Sequence, residues 1–441
     1  MKLKHVLLLP IAGFILLFSH QSPAQTAGYV KQVLTANSGK FEFSPPYSDY
    51  VTLQSYNPLN DQVNIFGGIF TQSAQSILIS GHVAFFAAQD SIIKYNLNTF
   101  QRMAAIADSG LNLMALYNGK LLVSKQYPVS RFFLEVLDTA NLGFIADVDG
   151  LSGDCGGISG VNDTVYVAVN GGWMGTEGKL GIVDPVTWTL KTEVDFGTAA
   201  VGIWNLYTTH GQIFSVNKTP YGSPDMGSVT MYDPADRSFS NIIIPYRVAA
   251  GSGIKNGLLY LGLNYGIGSL NLNTRIVEDP AIVPDPGSSV FTYILSSAID
   301  TLVGKLYTNV GDYITPGYCL VTSLTGDSLT SFPTGISSDA VAVDTRFYPV
   351  GITENSGMYS AVKLYPNPVH DKLRVRLSSD VTVTSVKITD VSGREMINRE
   401  WGTISGSDFE VEVSSLNPGL YYLAIETTGA MIVRSFAVAA P

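Results

Sequence analysis

One pattern of turns and alternating strands recurs along most of this chain of 441 residues. Its clearest copy is ISGHVAFFAAQDSIIKYNLNTFQ, Ile79 to Gln101, in which a polar residue ends the last alternating strand before a turn. Equivalent polar residues recur at a mean spacing of about 44 residues, at Asn57, Asn96, Asp138, Asp184, Asp233, Asn271 and Ser323. A unit of roughly 40–50 residues with several short strands is typical of one four-stranded blade of a β-propeller. Seven equivalent residues therefore predict seven blades, and six or eight blades would require a miscounted repeat.

The strand sequences favour sheets that stack on one another. KLLVS, TVYVAV and QIFSV alternate in the period-2 manner of strands. Asn-Gly pairs at Asn118 and Asn256 suit type I′ hairpin turns. A small sheet with two apolar faces cannot bury both by itself, so repeats arranged around an axis stabilise one another.

The two ends of this region are predicted to complete one blade together. The N-terminal piece supplies three outer strands, Lys40–Phe43, Tyr50–Tyr56 and Gln62–Phe66, and lacks an innermost one. Ser338–Arg346 (SDAVAVDTR) is an isolated strand that fits this position. Pairing the two ends protects edges that an open ring would expose. We predict a propeller domain over residues 25–350.

The first 24 residues are predicted to be a secretory signal peptide. Lys2 and Lys4 precede the apolar run Val6–Phe18, and Ser22-Pro23-Ala24 supplies the small residues that a signal peptidase reads. The apolar run is too short to cross ~30 Å of hydrocarbon as a helix. After removal of the signal peptide, we expect no membrane span.

The pattern changes near the C-terminus. Residues 351–361 form a polar, glycine-containing linker, and residues 362–441 contain short alternating strands separated by Pro and Gly turns. Such strands predict a small Ig-like β-sandwich. The predicted fold is therefore all-β, with a seven-bladed β-propeller followed by a small β-sandwich.

Several motifs in this last segment closely resemble the type A C-terminal sorting domain of type IX secretion substrates. They are YPNP with Asp371 and Leu373, ITDVSGR at Ile388–Arg394, LNPGLYYL at Leu416–Leu423, and the terminal Arg434–Val438. The resemblance implies that the partner is the type IX secretion machinery and that the protein passes through the periplasm and outer membrane to the cell surface or the medium. The sorting-motif residues are Tyr365, Pro366, Asn367, Pro368, Asp371, Leu373, Gly393, Gly419 and Tyr421.

Charge and cysteine content exclude some function classes. The formal net charge is −10, and such a field repels a phosphate backbone, so nucleic acid is not an expected partner. Cys155 and Cys319 fall in non-neighbouring repeats, so we expect two buried thiols rather than a disulfide.

The sequence presents no recognisable catalytic constellation. His82 and His210 fall in equivalent turns that enter the second strand of a blade, and His370 lies within the sorting motif. The acidic loop Asp147–Asp154 lacks the spacing of a calcium loop. We therefore predict no enzymatic activity, no cofactor and no metal.

Aromatic residues recur in the loops at one mouth of the predicted propeller. Six of the seven loops between second and third strands contain one, and two loops between blades add Trp204 and Tyr246; the six are Tyr47, Tyr127, Trp173, Tyr221, Tyr265 and Tyr313. Amphipathic rings at a wet rim suit a planar or carbohydrate-like ligand. Their polar neighbours, which could orient a ligand, are Lys125, Arg131, Lys218, Asp225 and Arg247.

The propeller region resembles YncE-like surface propellers, most strongly over QSILISGHVAFFAAQDSIIKYNLNTF, Gln75 to Phe100. Some members of that family capture corrinoids for an outer-membrane transporter, so the resemblance implies a corrinoid as one candidate ligand beside a glycan or a protein. The favoured hypothesis is a non-enzymatic binding protein. The alternatives are a polysaccharide lyase or hydrolase and a structural adhesin or matrix component.

Overall fold

The computed structural model describes residues 28–43, 46–223, 226–347, 362–377, 382–390, 394–405, 408–427 and 431–439. The predicted signal peptide and the predicted linker lie outside these residues. The described residues divide into two units, 28–346 and those from 347 onward. They contain two short 3-10 turns, Thr198–Ala200 and Ser288–Val290, and no α-helix, so this part of the chain has no helix suited to crossing a membrane.

The described part of the first unit forms seven four-stranded sheets. Sheet 1 combines the two ends of the unit: β28 (Ser338–Phe347) lies beside β1 (Gly28–Asn37), followed by β2 (Val51–Asn57) and β3 (Gln62–Ile69). The other six sheets each take four consecutive strands. Sheet 2 has β4 (Ala74–Ser80), β5 (Val83–Ala88), β6 (Ser91–Asn96) and β7 (Arg102–Ala107); sheet 3 has β8 (Leu111–Tyr117), β9 (Lys120–Lys125), β10 (Leu134–Asp138) and β11 (Phe144–Val148); sheet 4 has β12 (Cys155–Val161), β13 (Thr164–Val169), β14 (Lys179–Asp184) and β15 (Thr189–Asp195). Sheet 5 has β16 (Ile203–Thr209), β17 (Gln212–Asn217), β18 (Gly227–Tyr232) and β19 (Phe239–Ile244); sheet 6 has β20 (Val248–Lys255), β21 (Leu258–Leu263), β22 (Gly266–Asn271) and β23 (Ile276–Pro284); sheet 7 has β24 (Tyr293–Asp300), β25 (Lys305–Gly311), β26 (Tyr318–Ser323) and β27 (Ser328–Pro333).

One predicted strand was wrong. Lys40–Phe43 lies in the loop between β1 and β2, and the strand that pairs with β28 is Gly28–Asn37. The alternation of Phe41 and Phe43 imitates a strand, but both rings are exposed. In contrast, β1 is buried along most of its length because sheets 7 and 2 pack against its two faces.

The polar residues that mark the repeat share one structural role. Each ends the third strand of its sheet, and its side-chain oxygen accepts a hydrogen bond from the backbone N–H two residues later. The acceptors are Asn57, Asn96, Asp138, Asp184, Asp233, Asn271 and Ser323. Side chains of this type stabilise tight turns by such local bonds, so the recurring residue marks the turn into the fourth strand.

Each sheet buries apolar residues against the next. Among the described residues, seven apolar clusters each join two neighbouring sheets. The cluster between sheets 7 and 1 includes Tyr56 and Phe332, whose rings stack at 4.0 Å, and the buried thiol of Cys319. Cys155 is also buried and free, as predicted. Because sheet 7 packs on sheet 1, the contacts close on themselves, and this arrangement is consistent with a β-propeller.

Hydrogen bonds between sheets follow the same closed order. One or more side-chain bonds cross each of the seven sheet-to-sheet boundaries. They join Ser38 to Ala74, Ser76 to Asn112, Asn112 to Cys155, Ser159 to Thr208, Asn205 to Gly251, Ser252 to Ser297, and Ser296 to Ser338. The first strand of each sheet is thus linked to its neighbours, which fixes the side chains at the ends of these strands.

The second unit contains two sheets that share one apolar core. One sheet has the order β29 (Val362–Tyr365), β30 (Lys372–Leu377) and β33 (Asp408–Glu412); the other has β32 (Glu395–Ser405), β31 (Thr382–Asp390), β34 (Gly419–Thr427) and β35 (Met431–Val438). Leu373 and Val375 of the first sheet and Ile388, Leu423 and Phe436 of the second belong to this core. Alternation of buried and exposed residues along β30 places one face on the core and the other in solvent.

Candidate functional site

The loops between second and third strands lie at the same edge of the sheets as the loops that join one sheet to the next. This follows from the alternating direction of neighbouring strands, because each second strand ends where the first strand of its sheet begins. We call this edge of the first unit, with both sets of loops, the aromatic face. Exposed turns with His82 and His210 lie at the opposite edge.

Five of the predicted loop aromatics project from the aromatic face. Between 46% and 84% of their surface is exposed, so they add little to the core; they are Tyr127, Trp173, Tyr221, Tyr265 and Tyr313. Tyr47 and Tyr246 are half-buried. The predicted rings therefore share an edge, as the repeat pattern requires.

Most of these rings occur in pairs. Trp173, from the loop of sheet 4, and Tyr221, from the loop of sheet 5, have centroids 5.0 Å apart. The other pairs are Tyr246 with Tyr265 at 5.7 Å, Tyr293 with Tyr313 at 5.5 Å and Tyr47 with Tyr50 at 6.4 Å. Rings at such distances attract each other, so the pairs form platforms of fixed orientation.

Trp204 lies in a strand and not in a loop between sheets, which corrects the prediction. It is the extra residue of a bulge in β16, since Ile203 pairs with Asn217 and Asn205 pairs with Val216. A bulge re-aims a side chain at the edge of a sheet. The Trp204 ring lies beneath the Lys218 ammonium, 3.5 Å from the ring centroid.

The bulge of β16 is one of a series. In sheets 2 to 7 the first strand loses register directly after its first or second residue, at the aromatic face. The shifts fall at Ala74/Ser76, Leu111/Met114, Cys155/Ile158, Ile203/Asn205, Val248/Gly251 and Ile294/Ser296. Bulged strands bend and leave residues unpaired, which opens space where neighbouring sheets meet.

A cavity of about 450 Å³ occupies this space between sheets 5, 6 and 7. Its charged and polar lining comes from Lys218, Thr219, Arg247, Asn264, Ser296 and Ser297, and its apolar lining includes Ala249, Ala250, Leu263, Ile267 and Ile294. An overlapping cavity of about 310 Å³ extends toward Asp285 and Tyr293. Apolar walls with a few convergent polar groups are the usual composition of a ligand site.

Backbone contacts hold Lys218 in place from both sides. Its N–H donates to the Gly202 carbonyl at 2.9 Å, and the N–H of the next residue, Thr219, donates to the Val248 carbonyl at 2.9 Å. Gly202 has a φ of +86°, and a Cβ there would lie 2.2 Å from the Lys218 carbonyl oxygen. Only glycine therefore permits this approach, and the backbone at Lys218 is held in place.

The Lys218 side chain is deep in the protein yet borders the cavity. Burial lowers the pKa of Lys218 to about 8, because loss of water disfavours the charged amine. Part of the residue remains exposed, since it faces the cavity. Arg247 lines the same cavity, and its guanidinium donates to the Ser223 carbonyl at 2.5 Å. Asp225, which was predicted as a polar neighbour, lies outside the described residues.

Lys125 does not serve as an open binding group. Its ammonium lies 2.5 Å from Asp108 and 2.7 Å from Glu135, and all three side chains are nearly buried. Arg131 is exposed on the aromatic face, but it pairs with Asp149 at 2.6 Å and stacks over Phe132. Both predicted cations thus have carboxylate partners within the protein.

The sequence analysis missed the carboxyl pair around Lys125. Asp108 comes from the loop between sheets 2 and 3, and Glu135 comes from β10. Burial and a hydrogen bond with Asp108 raise the pKa of Glu135 to about 7. Asp147 lies opposite Glu135 on β11, and burial also raises its pKa. The residues are distant in sequence, and only the sheet register brings them together.

The predicted sorting motif of the second unit connects its two sheets. The Asn367 side chain accepts a hydrogen bond from the Ala437 N–H at 2.8 Å, and Val369 exchanges backbone bonds with Ala437 and Ala439. Leu373 is fully buried, and the Tyr421 hydroxyl donates to the Asn417 carbonyl at 2.8 Å. Tyr365 lies against Arg376, and the Asp371 carbonyl accepts a hydrogen bond from the Val413 N–H. Pro366 and Pro368 are exposed, and Gly419 begins β34. Gly393 lies outside the described residues.

Comparison with known families identifies the C-terminal segment. Residues 363–439 match the model of the secretion system C-terminal sorting domain. These residues are a type IX sorting domain. The sorting domain directs secretion by the type IX route to the cell surface or the medium, which confirms the predicted localisation. It follows that the type IX machinery handles the chain.

Comparison with solved structures shows the fold and nothing of the activity. No curated protein sequence matches the chain significantly. A protein described as selenium-binding from Sulfolobus tokodaii aligns with 72% of this chain and 93% of its own, at 10% identity and a TM-score of 0.55. Hydrazine synthase of Kuenenia stuttgartiensis aligns with 63% of this chain and 96% of its own, at 15% identity and a TM-score of 0.50. The extracellular domain of a one component system from B. thetaiotaomicron has a TM-score of 0.48 and 12% identity over 92% of this chain, and the alignment spans 57% of that protein. The similarity to the Sulfolobus tokodaii protein is one of all-β, propeller-like fold.

Proposed function

We propose that the protein is a secreted seven-bladed, YncE-like β-propeller that binds an extracellular ligand at its aromatic face without transforming it. In this proposal residues 1–24 are removed as a signal peptide, and the sorting domain is an Ig-like sandwich. The ligand is a glycan, a protein or a small cofactor; the resemblance to YncE-like propellers adds a corrinoid to these candidates.

The observation that carries this proposal is the coincidence of exposed rings and a cavity at one edge. The Trp173 and Tyr221 platform belongs to the loops of sheets 4 and 5, and the cavity begins at Lys218 in the same loop as Tyr221. Exposed aromatic rings cost free energy in water. Their clustering beside a cavity with polar groups therefore supports recognition of a ligand.

The burial and ion pairing of the carboxyl groups on the aromatic face favour binding over catalysis. A glycosidase requires two carboxyl groups with access to the substrate. In the described part of the aromatic face, the carboxyl pair of Asp108 and Glu135 is nearly buried, and both groups contact Lys125. This arrangement supports a structural role for the pair and a binding role for the face.

The test is ligand binding by the purified protein and a double variant, Trp173→Ala with Tyr221→Ala. The probes are neutral and acidic oligosaccharides and cyanocobalamin, followed first by thermal shift and then by calorimetry. We expect at least one probe to bind and the double variant to lose affinity by about tenfold or more, because two ring contacts are removed. Phe144→Ala is the matched control, since this exposed ring begins β11 at the opposite edge.

Two results would overturn the proposal. Failure of every probe to bind would favour a structural scaffold or adhesin. Turnover of an oligosaccharide that is abolished by Asp108→Asn would show an enzyme.

A further inference from the structure

Two cations line the cavity of the aromatic face without a carboxylate partner. Among the described residues, neither Lys218 nor Arg247 forms an ion pair. Arg131, on the same face, has one, and the whole chain carries a formal charge of −10. In a protein with an excess of carboxylates, two cations that line one cavity without an ion pair to any described carboxylate indicate a site that attracts an anion.

The position of Lys218 makes this site unusual. An ammonium removed from water without a counter-charge is unfavourable, and proteins normally pair it. Here its near neighbour is the Trp204 ring at 3.5 Å, which stabilises a cation through its π face. The backbone contacts of Gly202 and Thr219 hold the lysine beside the cavity despite this cost.

Other donors converge on the same space. The Thr219 hydroxyl oxygen accepts the Val248 N–H at 2.9 Å, which leaves its own proton available to a ligand. Asn264 is exposed on the cavity wall. One N–H of Arg247 is used by Ser223, and its remaining donors are suited to a two-oxygen acceptor.

The apolar part of the lining limits what the anion is attached to. Leu263, Ile267 and Ile294 line the same cavity as the charged groups, and the Trp173–Tyr221 platform lies in adjoining loops. A free inorganic ion would leave these surfaces unused. A ring-shaped ligand with one acidic group would use both.

We propose that the cavity at Lys218 and Arg247 binds the single acidic group, a carboxylate or a sulfate, of a short saccharide whose rings contact the aromatic face. This proposal rests on the proposed binding function and deepens it. A long polyanion fits poorly because the negative field of the protein repels successive charges. One acidic terminus at two cations avoids that repulsion.

The test compares four matched trisaccharides in calorimetry with the purified protein. One ends in glucuronic acid, the second is its methyl ester, the third ends in glucose 6-sulfate and the fourth ends in glucose. We expect the glucuronate or the sulfate form to bind about tenfold or more tightly than the neutral forms, as for a charge-assisted hydrogen bond. Preference for one acid over the other identifies the acidic group.

Variants separate the two cations from the rest of the face. Lys218→Met and Arg247→Gln should each reduce affinity for the acidic form about tenfold and leave the neutral forms unchanged. Lys218→Arg should retain part of the preference. Arg131→Gln is the control because it removes the same charge from the same face, and the affinity should change less than about twofold since Asp149 already neutralises Arg131.

Three results would overturn the inference. Equal binding of acidic and neutral trisaccharides would leave the binding function intact and remove the anion site. Absence of binding by all four would exclude the saccharide. An increase in affinity for the acidic form in Asp225→Asn would show that Asp225 already supplies the counter-charge of Lys218, whereas unchanged affinity supports the site.

Discussion

Lys125 in sheet 3 and Lys218 in sheet 5 lie one residue apart in the repeat and differ in every partner. Lys125 ends β9, and Lys218 directly follows β17. Lys125 contacts Asp108 and Glu135. The strand registers place Ala200 and Thr230 at the equivalent positions in sheet 5. The residue of sheet 5 that is equivalent to Lys125 is therefore Asn217, whose amide donates to Thr230 at 2.8 Å, and Lys218 follows it by one residue. The two lysines differ in position as well as in partners, and of the two only Lys125 has a carboxylate partner among the described residues.

The pKa values of the two lysines move in opposite directions for this reason. Burial lowers the pKa of both amines, but two carboxylates raise that of Lys125 above its ordinary value. Lys218 has only the burial effect. Removing a buried cation that two carboxyl groups contact leaves those groups uncompensated, whereas a buried cation without a counter-charge costs stability that a ligand can recover.

The largest expected difference is in the effect of removing each lysine. Lys125→Met should destabilise the protein by about 3–5 kcal/mol, because it leaves two buried carboxyl groups without a cation. Lys218→Met should change stability by less than ~1 kcal/mol or raise it, because an unpaired buried charge is removed. Denaturant unfolding of both variants at pH 7 measures this. Equal losses of stability in the two variants would show that the two lysines do not differ in their electrostatic role.

The pH dependence should also differ in sign. Glu135 has a pKa of about 7 in the folded protein against 4.5 ordinarily, so the folded state binds more protons and stability falls as the pH rises between these values. Lys218 has a pKa of about 8 against 10.5, so the unfolded state binds more protons and stability rises with pH between about 8 and 10.5. Each slope is at most about 1.4 kcal/mol per pH unit.

Differences between variants isolate these slopes. The stability of the wild type minus that of Glu135→Gln should show the fall; the ionisable groups that face Glu135 are Asp108, Asp147 and Lys125. The free energy of unfolding of the wild type minus that of Lys218→Met should rise with pH between about 8 and 10.5. A flat difference above pH 8 would mean that Lys218 is already paired.

A smaller effect tests the support of Lys218. Gly202→Ala should cost about 1–3 kcal/mol, because it adds a strained φ and a contact with the Lys218 carbonyl. Gly211→Ala is the control: Gly211 has a similar φ of +78°, but a Cβ there meets nothing within 4 Å, so the cost should be that of the left-handed φ alone, about 1–2 kcal/mol, and smaller than that of Gly202→Ala. Thermal unfolding measures the loss of stability in both variants. Equal losses would show that the contact with the Lys218 carbonyl has no effect on stability.

The sequence predicted the sheets better than the charged site. The polar residue that ends each third strand is a local signal, because its side chain bonds to the turn that follows it, as in Asn96 and Asp184. The Asn118 and Asn256 turns have the positive φ that their sequences indicate. Local chemistry of this kind is visible in a short window of sequence.

The partners of Lys125 and Lys218 cannot be predicted from a short window of sequence. Lys125 and Asp108 are 17 residues apart and meet only because β8 and β9 pair in a bulged register. Trp204 likewise contacts Lys218 because of a bulge in β16, and the local sequence does not predict that bulge. Register and bulges depend on the packing of neighbouring sheets, so the aromatic positions could be predicted and the charge balance could not.

The most direct test of the central claim is an NMR titration of the Lys218 amine, assigned by its loss in Lys218→Met. A pKa of about 8 is predicted in the free protein, with a rise toward the ordinary value when the glucuronate-ended trisaccharide binds, because the carboxylate stabilises the charged amine. A pKa at the ordinary 10.5 in the free protein, unchanged by the trisaccharide, would contradict an unpaired cation at this site.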